Sequence, residues 1–288
     1  MIPTQLRDAL AAPRAREFDF GDEDFAALRK LVKDLTGINL SDQKRELVYG
    51  RLARRLRALH LRTFAEYREL LASDGGHEIS EFCNAITTNL TSFFRESHHF
   101  EHLREHVLQP LAANRSGSRR VRIWSAGCST GEEPYSIAMT VLEALPELRT
   151  WDVKILATDL DSDVLAKAQR GMYAADRMRN MNPQRLERFF VEGRGRDGPN
   201  YQATQELQSL ITFKQLNLMH SLPMKGPLDV IFCRNVVIYF DKDTQRELFA
   251  RVAHLQRPGD LLFLGHSESL FKVSESYTPI GKTIYRRC

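Results

Sequence analysis

Two glycines, two glutamates and an aspartate carry the first chemistry that can be read from this chain. Gly127 and Gly131 follow the apolar run 121–125, Glu132 and Glu133 come directly after, Pro134 opens a second apolar run, and Asp159 ends the run 153–158. A strand passing through a glycine turn into a helix puts a ligand site at the carboxyl end of a parallel sheet. Pro134 suits the first helical turn, where its missing N–H has no intrahelical partner to lose. The glycines are expected to let the backbone approach a ligand where a Cβ would collide. The spacing is Gly-x-x-x-Gly-Glu, not Gly-x-Gly-x-x-Gly, and the two carboxylates at the helix start would repel a pyrophosphate. A cationic ligand, or one rich in hydroxyl and amino groups, fits better. An acidic residue ending the second strand is placed to take both hydroxyls of a ribose, so these residues predict a nucleoside-type ligand.

A second cluster is His102-Leu103-Arg104-Glu105-His106, which matches the inverted zinc-peptidase pattern H-x-x-E-H. On a helix the two histidines share a face and could hold zinc. No convincing third ligand lies downstream, and a glycine-loop domain is no peptidase scaffold. The preferred reading is an amphipathic helix with Phe100, Leu103, Val107 and Leu111 toward the core and the histidines in water. A third cluster is basic. Residues 44–62 hold seven Lys or Arg against one acid, Glu46. Arg51, Arg54, Arg55 and Arg57 lie opposite the apolar face of Val48, Leu52, Leu56 and Leu59. A solvated face is the plain reading of such a run. The density of one sign also suits docking of an acidic helix or a phosphate backbone.

The elements that must position these residues fall into two regions. Residues 18–111 are patterned as helices, at 22–35 with a stop at Gly37, at 44–60 with Ser41 as N-cap, at 63–72 and at 78–90. After a polar linker at 112–119, strands and helices alternate at 121–125, 135–145, 153–158, 162–170, 229–233, 244–255 and 261–264. That rhythm predicts an α/β, doubly wound parallel sheet. It is broken between 173 and about 212, where a helix at 183–190 and the turn-rich segment around Gly193, Gly195 and Gly198 predict a small β insertion. The 288 residues, with 27% charged and 42% hydrophobic, describe an ordinary soluble globular chain. A net charge of +4 does not by itself argue for nucleic acid. Cys83, Cys128, Cys233 and Cys288 form no C-x-x-C pair and read as reduced thiols in a cytoplasmic protein. No run approaches transmembrane length, and residues 1–16 read as a flexible tail rather than a targeting segment.

Three further runs narrow the reading. They are Asn89-Leu-Thr-Ser-Phe-Phe-Arg95, Ile231-Phe-Cys-Arg-Asn-Val-Val-Ile-Tyr-Phe-Asp241 and Leu264-Gly-His-Ser-Glu-Ser269. Together with Ser125–Pro134 and Ala157–Asp161, and in this order, the set resembles the chemotaxis-receptor methyltransferases, the CheR family, over residues 18 to 286. The resemblance implies a class I S-adenosylmethionine-dependent methyltransferase sheet, an N-terminal all-α domain and a small β insertion. It implies methyl transfer from S-adenosylmethionine to glutamate side chains of chemoreceptors, giving γ-glutamyl methyl esters and S-adenosylhomocysteine. By the same resemblance Asn89, Thr91 and Arg95 hold the methionine end, with Arg95 on its carboxylate. Glu132 meets the amino group, Asp159 the ribose, and Asn217 and Leu218 border the adenine. Arg234 and Asn235 face the methyl donor with Tyr239 close by, and Arg95 and Tyr239 are the catalytic candidates. The domains are then a receptor-docking helical domain at 17–90 and a methyltransferase domain at 91–288.

The basic helix gains a specific candidate partner, since methylated receptor segments are acidic helical hairpins that Arg51, Arg54, Arg55 and Arg57 could dock. The insertion corresponds to the family's β-subdomain, and Gly193, Gly195 and Gly198 form a compact turn suited to tethering a carboxyl-terminal receptor peptide by strand addition. The expected chain is a monomer that needs no metal, no nucleic acid and no membrane insertion. Two other readings stay open. One is a class I methyltransferase of RNA, DNA or a small molecule, although aromatic residues near the basic helix are sparse for base stacking. The other is a catalytically weak module that binds S-adenosylmethionine as a signal.

Overall fold

The computed structural model describes residues 16–73, 76–114, 118–145, 150–195 and 198–288. Residues 1–15 of the expected tail, Asp74 and Gly75 between two helices, 115–117 of the linker and 196–197 of the glycine turn lie outside the described residues. The chain forms two compact units. One runs to Leu31 and resumes over Leu40–Ile86; the other combines Val32–Asn39 with Thr87–Cys288.

The first unit is helical because its apolar residues recur at helical spacing. It contains most of α1 (Asp22–Thr36), then α2 (Arg45–Ala58), α3 (Phe64–Ser73) and α4 (His77–Ile86). Phe20 and Phe64 meet at 4.4 Å between ring centroids and centre the core. The start of α3 is a reciprocal cap. The Glu66 N–H donates to Thr63 Oγ1 at 3.1 Å, and the Thr63 N–H to Glu66 Oε2 at 3.3 Å. Ser41 does not act as the expected side-chain cap, because a 3-10 turn at Asp42–Lys44 precedes α2. The helix expected to reach residue 90 ends at Ile86.

In the second unit the strands are, in chain order, β1 (Arg120–Ala126), β2 (Asp152–Asp159), β3 (Met172–Ala174), β4 (Phe190–Gly195), β5 (Gly198–Ala203), β6 (Ile211–Gln215), β7 (Val230–Cys233), β8 (Leu261–Leu264), β9 (Tyr277–Gly281) and β10 (Ile284–Arg287). Seven of them form one sheet in the order β6-β2-β1-β7-β8-β10-β9. Its first five strands are parallel, and β10 and β9 are antiparallel. The central strands feed both faces. Val121, Ile123, Val230, Phe232, Leu261 and Phe263 join one apolar cluster, and Trp124, Ala126, Ile231, Cys233, Leu262 and Leu264 the other. This two-sided burial explains their nearly unbroken apolar runs. Helix α7 (Glu132–Ala144) packs in the first cluster and α11 (Lys242–Ala253) in the second, which makes the sheet doubly wound.

The helix after the Asn89–Arg95 run is not regular. It comprises α5 (His98–Leu103), a π turn at Arg104–Leu108 and α6 (Gln109–Ala113). The π turn buries Leu108 fully, beside the expected Val107, which packs half-buried against the same core. After α8 (Ser162–Arg170) the insertion forms a separate antiparallel sheet in the order β3-β5-β4, with α9 (Pro183–Phe189) between β3 and β4. The insertion sheet ends at Ala203. The segment Ile211–Gln215, expected to border the insertion, is the edge strand of the main sheet, reached through α10 (Gln205–Ser209).

Candidate active site

The strand order reverses between β1 and β7, so the loops that follow β1, β2 and β7 meet at the carboxyl end of the sheet. Gly127 and Gly131 have φ of +81° and +98°, where a side chain is strained. A Cβ on Gly127 would lie 2.3 Å from Val236 Cγ2, and one on Gly131 2.8 Å from the Tyr173 hydroxyl. The structure places protein, in the form of the β7 loop and Tyr173, where each Cβ would stand.

Asp159 ends β2 and is 8% exposed. Its Oδ2 accepts the Ser129 N–H at 2.8 Å and its Oδ1 the Asp161 N–H at 3.0 Å, which aims the carboxylate into the β1 loop. Burial outweighs these bonds and raises the carboxyl to about 6. Asn89 is positioned from the other side. Its Nδ2 donates to Asp161 Oδ2 at 2.7 Å, and its carbonyl accepts the Ser129 hydroxyl at 3.0 Å.

Glu132, the first residue of α7, is buried. Thr130 Oγ1 donates to its Oε2 at 2.6 Å, and Arg177 Nε to its Oε1 at 3.0 Å. Arg177 Nη2 also reaches Glu132 Oε1 and donates to the Thr91 carbonyl at 3.0 Å. Arg177 was not among the expected residues, and no local motif marks it. Arg95 is half-buried and donates from Nη1 to the Leu90 carbonyl at 2.9 Å.

Arg234 ends β7, but its side chain is only 2% exposed and is held by acids. Nη1 donates to Glu133 Oε2 at 3.0 Å and Nη2 lies 3.2 Å from Glu96 Oε2. The guanidinium also donates to the Arg95 carbonyl. Glu133 is further held by the Ser125 hydroxyl at 2.7 Å, and burial pushes its carboxyl up. Burial would also raise Glu96, but His266 and Arg234 hold it down at about 2. The Arg234 guanidinium is thus committed to an internal network. Asn235 has φ +58°, and its N–H donates to Glu268 Oε2 at 2.8 Å. Buried Glu268 also accepts from the N–H groups of Gly265 at 2.6 Å and Ile238 at 3.2 Å. It fixes the bend that carries half-buried Tyr239. Glu96 and Glu268 were missed as positioning residues, although each adjoins or lies in a quoted run.

Asn217 and Leu218 follow β6. Asn217 Nδ2 donates to the Leu35 carbonyl at 2.6 Å, and the Leu218 carbonyl accepts from Arg251 Nη2 at 2.6 Å. The strand-end aspartate, the β1 loop and Glu132 make an acidic, hydroxyl-accepting site that fits a nucleoside with a cationic tail.

The basic face of the first unit is corrected. Arg55 is bound to Glu78 (Nη2 to Oε2 2.6 Å, Nε to Oε1 3.0 Å) and to Glu81 at 2.8 Å. Arg51 donates to the Ile86 carbonyl, and Arg57 pairs with Glu17 at 2.8 Å. Of the four, Arg54 is the one exposed arginine with no ion pair or hydrogen bond among the described residues. In the insertion, Gly195 opposes Gly198 and Gly193 opposes Asn200. The Asn200 amide lies over Gly193 and Gly195, where Cβ atoms would meet it at 2.9 and 2.8 Å. Strand β4 is one edge of its sheet.

His102 and His106 lie 4.4 Å apart between ring centroids, and no metal-holding group occurs among the described residues. His99, one turn before His102, is fully buried. Its Nε2 lies 3.0 Å from the Lys282 carbonyl, and burial lowers the imidazole to about 4. All four cysteines are free thiols. No helix among the described residues is long and apolar enough to cross a membrane.

The chain is similar over most of its length to chemotaxis protein methyltransferase 2 of Pseudomonas aeruginosa, 45% identical over 271 residues, covering 94% of this chain and 95% of that relative. It is 45% identical over 267 residues to the chemotaxis protein methyltransferase of Escherichia coli, covering 92% and 90%. A probable chemotaxis protein methyltransferase of Rhizobium etli is 46% identical over 252 residues, covering 87% and 94%. The family model described as the CheR methyltransferase all-alpha domain matches residues 23–87, and that of the SAM binding domain matches 89–286. With the switch-point site already in place, these matches show that the chain belongs to the CheR family of methyltransferases, whose cofactor is S-adenosylmethionine.

Proposed function

We propose that this chain transfers a methyl group from S-adenosylmethionine to glutamate side chains of chemoreceptor helices, forming γ-glutamyl methyl esters. The observation that carries the reading is the charge arrangement at the carboxyl end of the sheet. Buried Asp159 and Glu132 suit a cationic cofactor, while Arg95, on the loop that also carries Asn89 and Thr91, offers a guanidinium to an incoming carboxylate.

Bound S-adenosylmethionine supplies a methyl on a sulfonium, an electrophile whose leaving group is a neutral thioether. A glutamate carboxylate is already a nucleophile at neutral pH, so the chain need not provide a general base. One carboxylate oxygen forms the O–CH3 bond, the C–S pair returns to sulfur, and no proton moves. The task left to the protein is alignment, which is worth up to roughly 7–11 kcal/mol. Asp159 sets the nucleoside end and Asn89 the methionine end, the Asn235–Tyr239 bend pinned by Glu268 walls the reacting centre, and Arg95, expected on the cofactor's carboxylate, is proposed instead to orient the substrate carboxylate.

Two surfaces support a receptor as substrate. Exposed Arg54 suits an acidic helix. The β4 edge, with Val191 61% exposed, suits strand addition by a receptor's carboxyl-terminal peptide. The test is tritiated-methyl transfer to receptor-bearing membranes. Label released by mild base as methanol is expected. Base-stable label, or label on nucleic acid, would refute the reading.

A further inference from the structure

We propose that Arg177, carried by the insertion, is a cofactor-binding residue that receives the α-carboxylate of S-adenosylmethionine beside the ammonium held by Glu132. Arg177 lies in the short 3-10 turn Ala175–Met178 directly after β3. Its side chain reaches out of the insertion to two parts of the switch-point site. Nε and Nη2 bind Glu132 Oε1, and Nη2 also donates to the Thr91 carbonyl at 3.0 Å. That accounts for the inner edge of the guanidinium. The two N–H groups of Nη1 have no partner among the described residues, and the side chain keeps 37% of its exposure while the Glu132 carboxylate keeps 1%. The free donors are therefore the accessible ones, and both sit on Nη1, which can donate to one carboxylate oxygen beside the Glu132 pair.

The chemistry of the pair matches a zwitterion better than a simple amine. An Arg–Glu ion pair is neutral overall, so a lone ammonium gains little from it. An α-amino acid end presents both signs at once. Its carboxylate meets the outer edge of Arg177, and its ammonium meets Glu132 Oε2, which accepts only from Thr130 Oγ1 at 2.6 Å and retains a lone pair. This moves the cofactor carboxylate from Arg95, where the family resemblance has it, to Arg177, and leaves Arg95 for the substrate carboxylate. Arg177 would also make the pocket select an intact methionine moiety over a decarboxylated one.

This inference rests on S-adenosylmethionine being the cofactor, and its test separates the two ideas. Calorimetric titration is run on the full chain with S-adenosylhomocysteine and with its decarboxylated analogue, the 3-aminopropyl thioether of adenosine. Wild type is expected to prefer the intact nucleoside by roughly tenfold to a hundredfold, the size of a charged hydrogen-bonded contact. In Arg177→Met that preference should collapse, the intact ligand losing more affinity than the analogue by about that same factor. Arg177→Lys, which keeps the charge but cannot hold Glu132, the Thr91 carbonyl and a ligand carboxylate together, should retain part of the preference, and it serves as the readout if the Met variant does not fold. Equal weakening of both ligands would show that Arg177 acts only by holding Glu132 and would overturn the proposal, as would an unchanged preference. A wild-type protein that bound neither nucleoside would instead overturn the cofactor assignment.

Discussion

Replacing Asp159 by asparagine tests the proposed ribose contact through its pH dependence. The carboxyl is 8% exposed, and burial is the largest influence on it, ahead of the opposing N–H bonds from Asp161 and Ser129. Its ordinary value is 3.8 and the folded value is about 6, a difference worth about 3 kcal/mol. The sign follows from the direction. The folded value lies above the unfolded one, so keeping Asp159 charged destabilises the free protein as pH rises from about 4 to about 6, and that cost persists above this window. Two ribose hydroxyls donating to the carboxylate favour the charged form and relieve part of the cost on binding. S-adenosylhomocysteine affinity should therefore be flat above about pH 6.5 and fall by up to about tenfold per pH unit below 6, since a proton must then be released. Asp159→Asn should bind at least about tenfold more weakly at neutral pH and lose this slope, having no proton to release. Calorimetry from pH 5 to 8, in buffers of different ionisation heat, measures both affinity and proton release. Wild-type affinity that stays flat across the range, or a slope that survives in the asparagine variant, would refute the argument.

The paired and unpaired arginines of α2 should separate stability from docking. Arg55→Glu would set a negative charge against Glu78, whose side chain is 5% exposed, and should destabilise the protein by about 3–5 kcal/mol in thermal melts. Arg54→Glu should change stability by less than about 0.5 kcal/mol. It should still slow methylation of an acidic receptor helix, with a deficit that shrinks as salt rises; a salt-independent deficit would remove Arg54 from the docking surface. Gly127→Ala must strain a φ of +81° and push against Val236, costing roughly 2–4 kcal/mol in urea melts. Adding Val236→Ala should recover only the steric part, and full recovery would mean the backbone conformation is not strained.

What could be read in advance follows from how local each cause is. The runs around Ile123, Ile155, Ile231 and Leu262 are apolar on both faces because the central strands are covered on both sides, so they stand out in the sequence. Edge strands do not. Ile211–Gln215 and Tyr277–Gly281 mix polar residues with a few apolar ones and were absorbed into loops. The π turn was invisible because spacing alone cannot announce an extra residue in a helix, and it brought Leu108 into the core beside Val107. At the site, Asp159 was legible since its position at a strand end is itself the signal. The ionic partners were not. Glu132 and Arg177 are 45 residues apart, and Arg234 and Glu133 are 101 apart, so only folding shows that each acid is matched. The same reason undid the basic face, since Glu78 and Glu81 neutralise Arg55 from another helix.

The insertion begins and ends at one place. The Ala203 N–H donates to the Gly171 carbonyl at 2.8 Å, so the chain leaves the main sheet and returns to it through adjacent residues. Everything between them can lengthen, shorten or be exchanged without changing the distance that α8 and α10 must bridge. Recombination between relatives could swap this segment as a cassette while β1, β2 and β7 keep their register. One position limits the exchange. A cassette without a cation where Arg177 stands would leave Glu132 buried with no counter-charge, so one salt bridge ties the insertion to the site at the carboxyl end of the sheet.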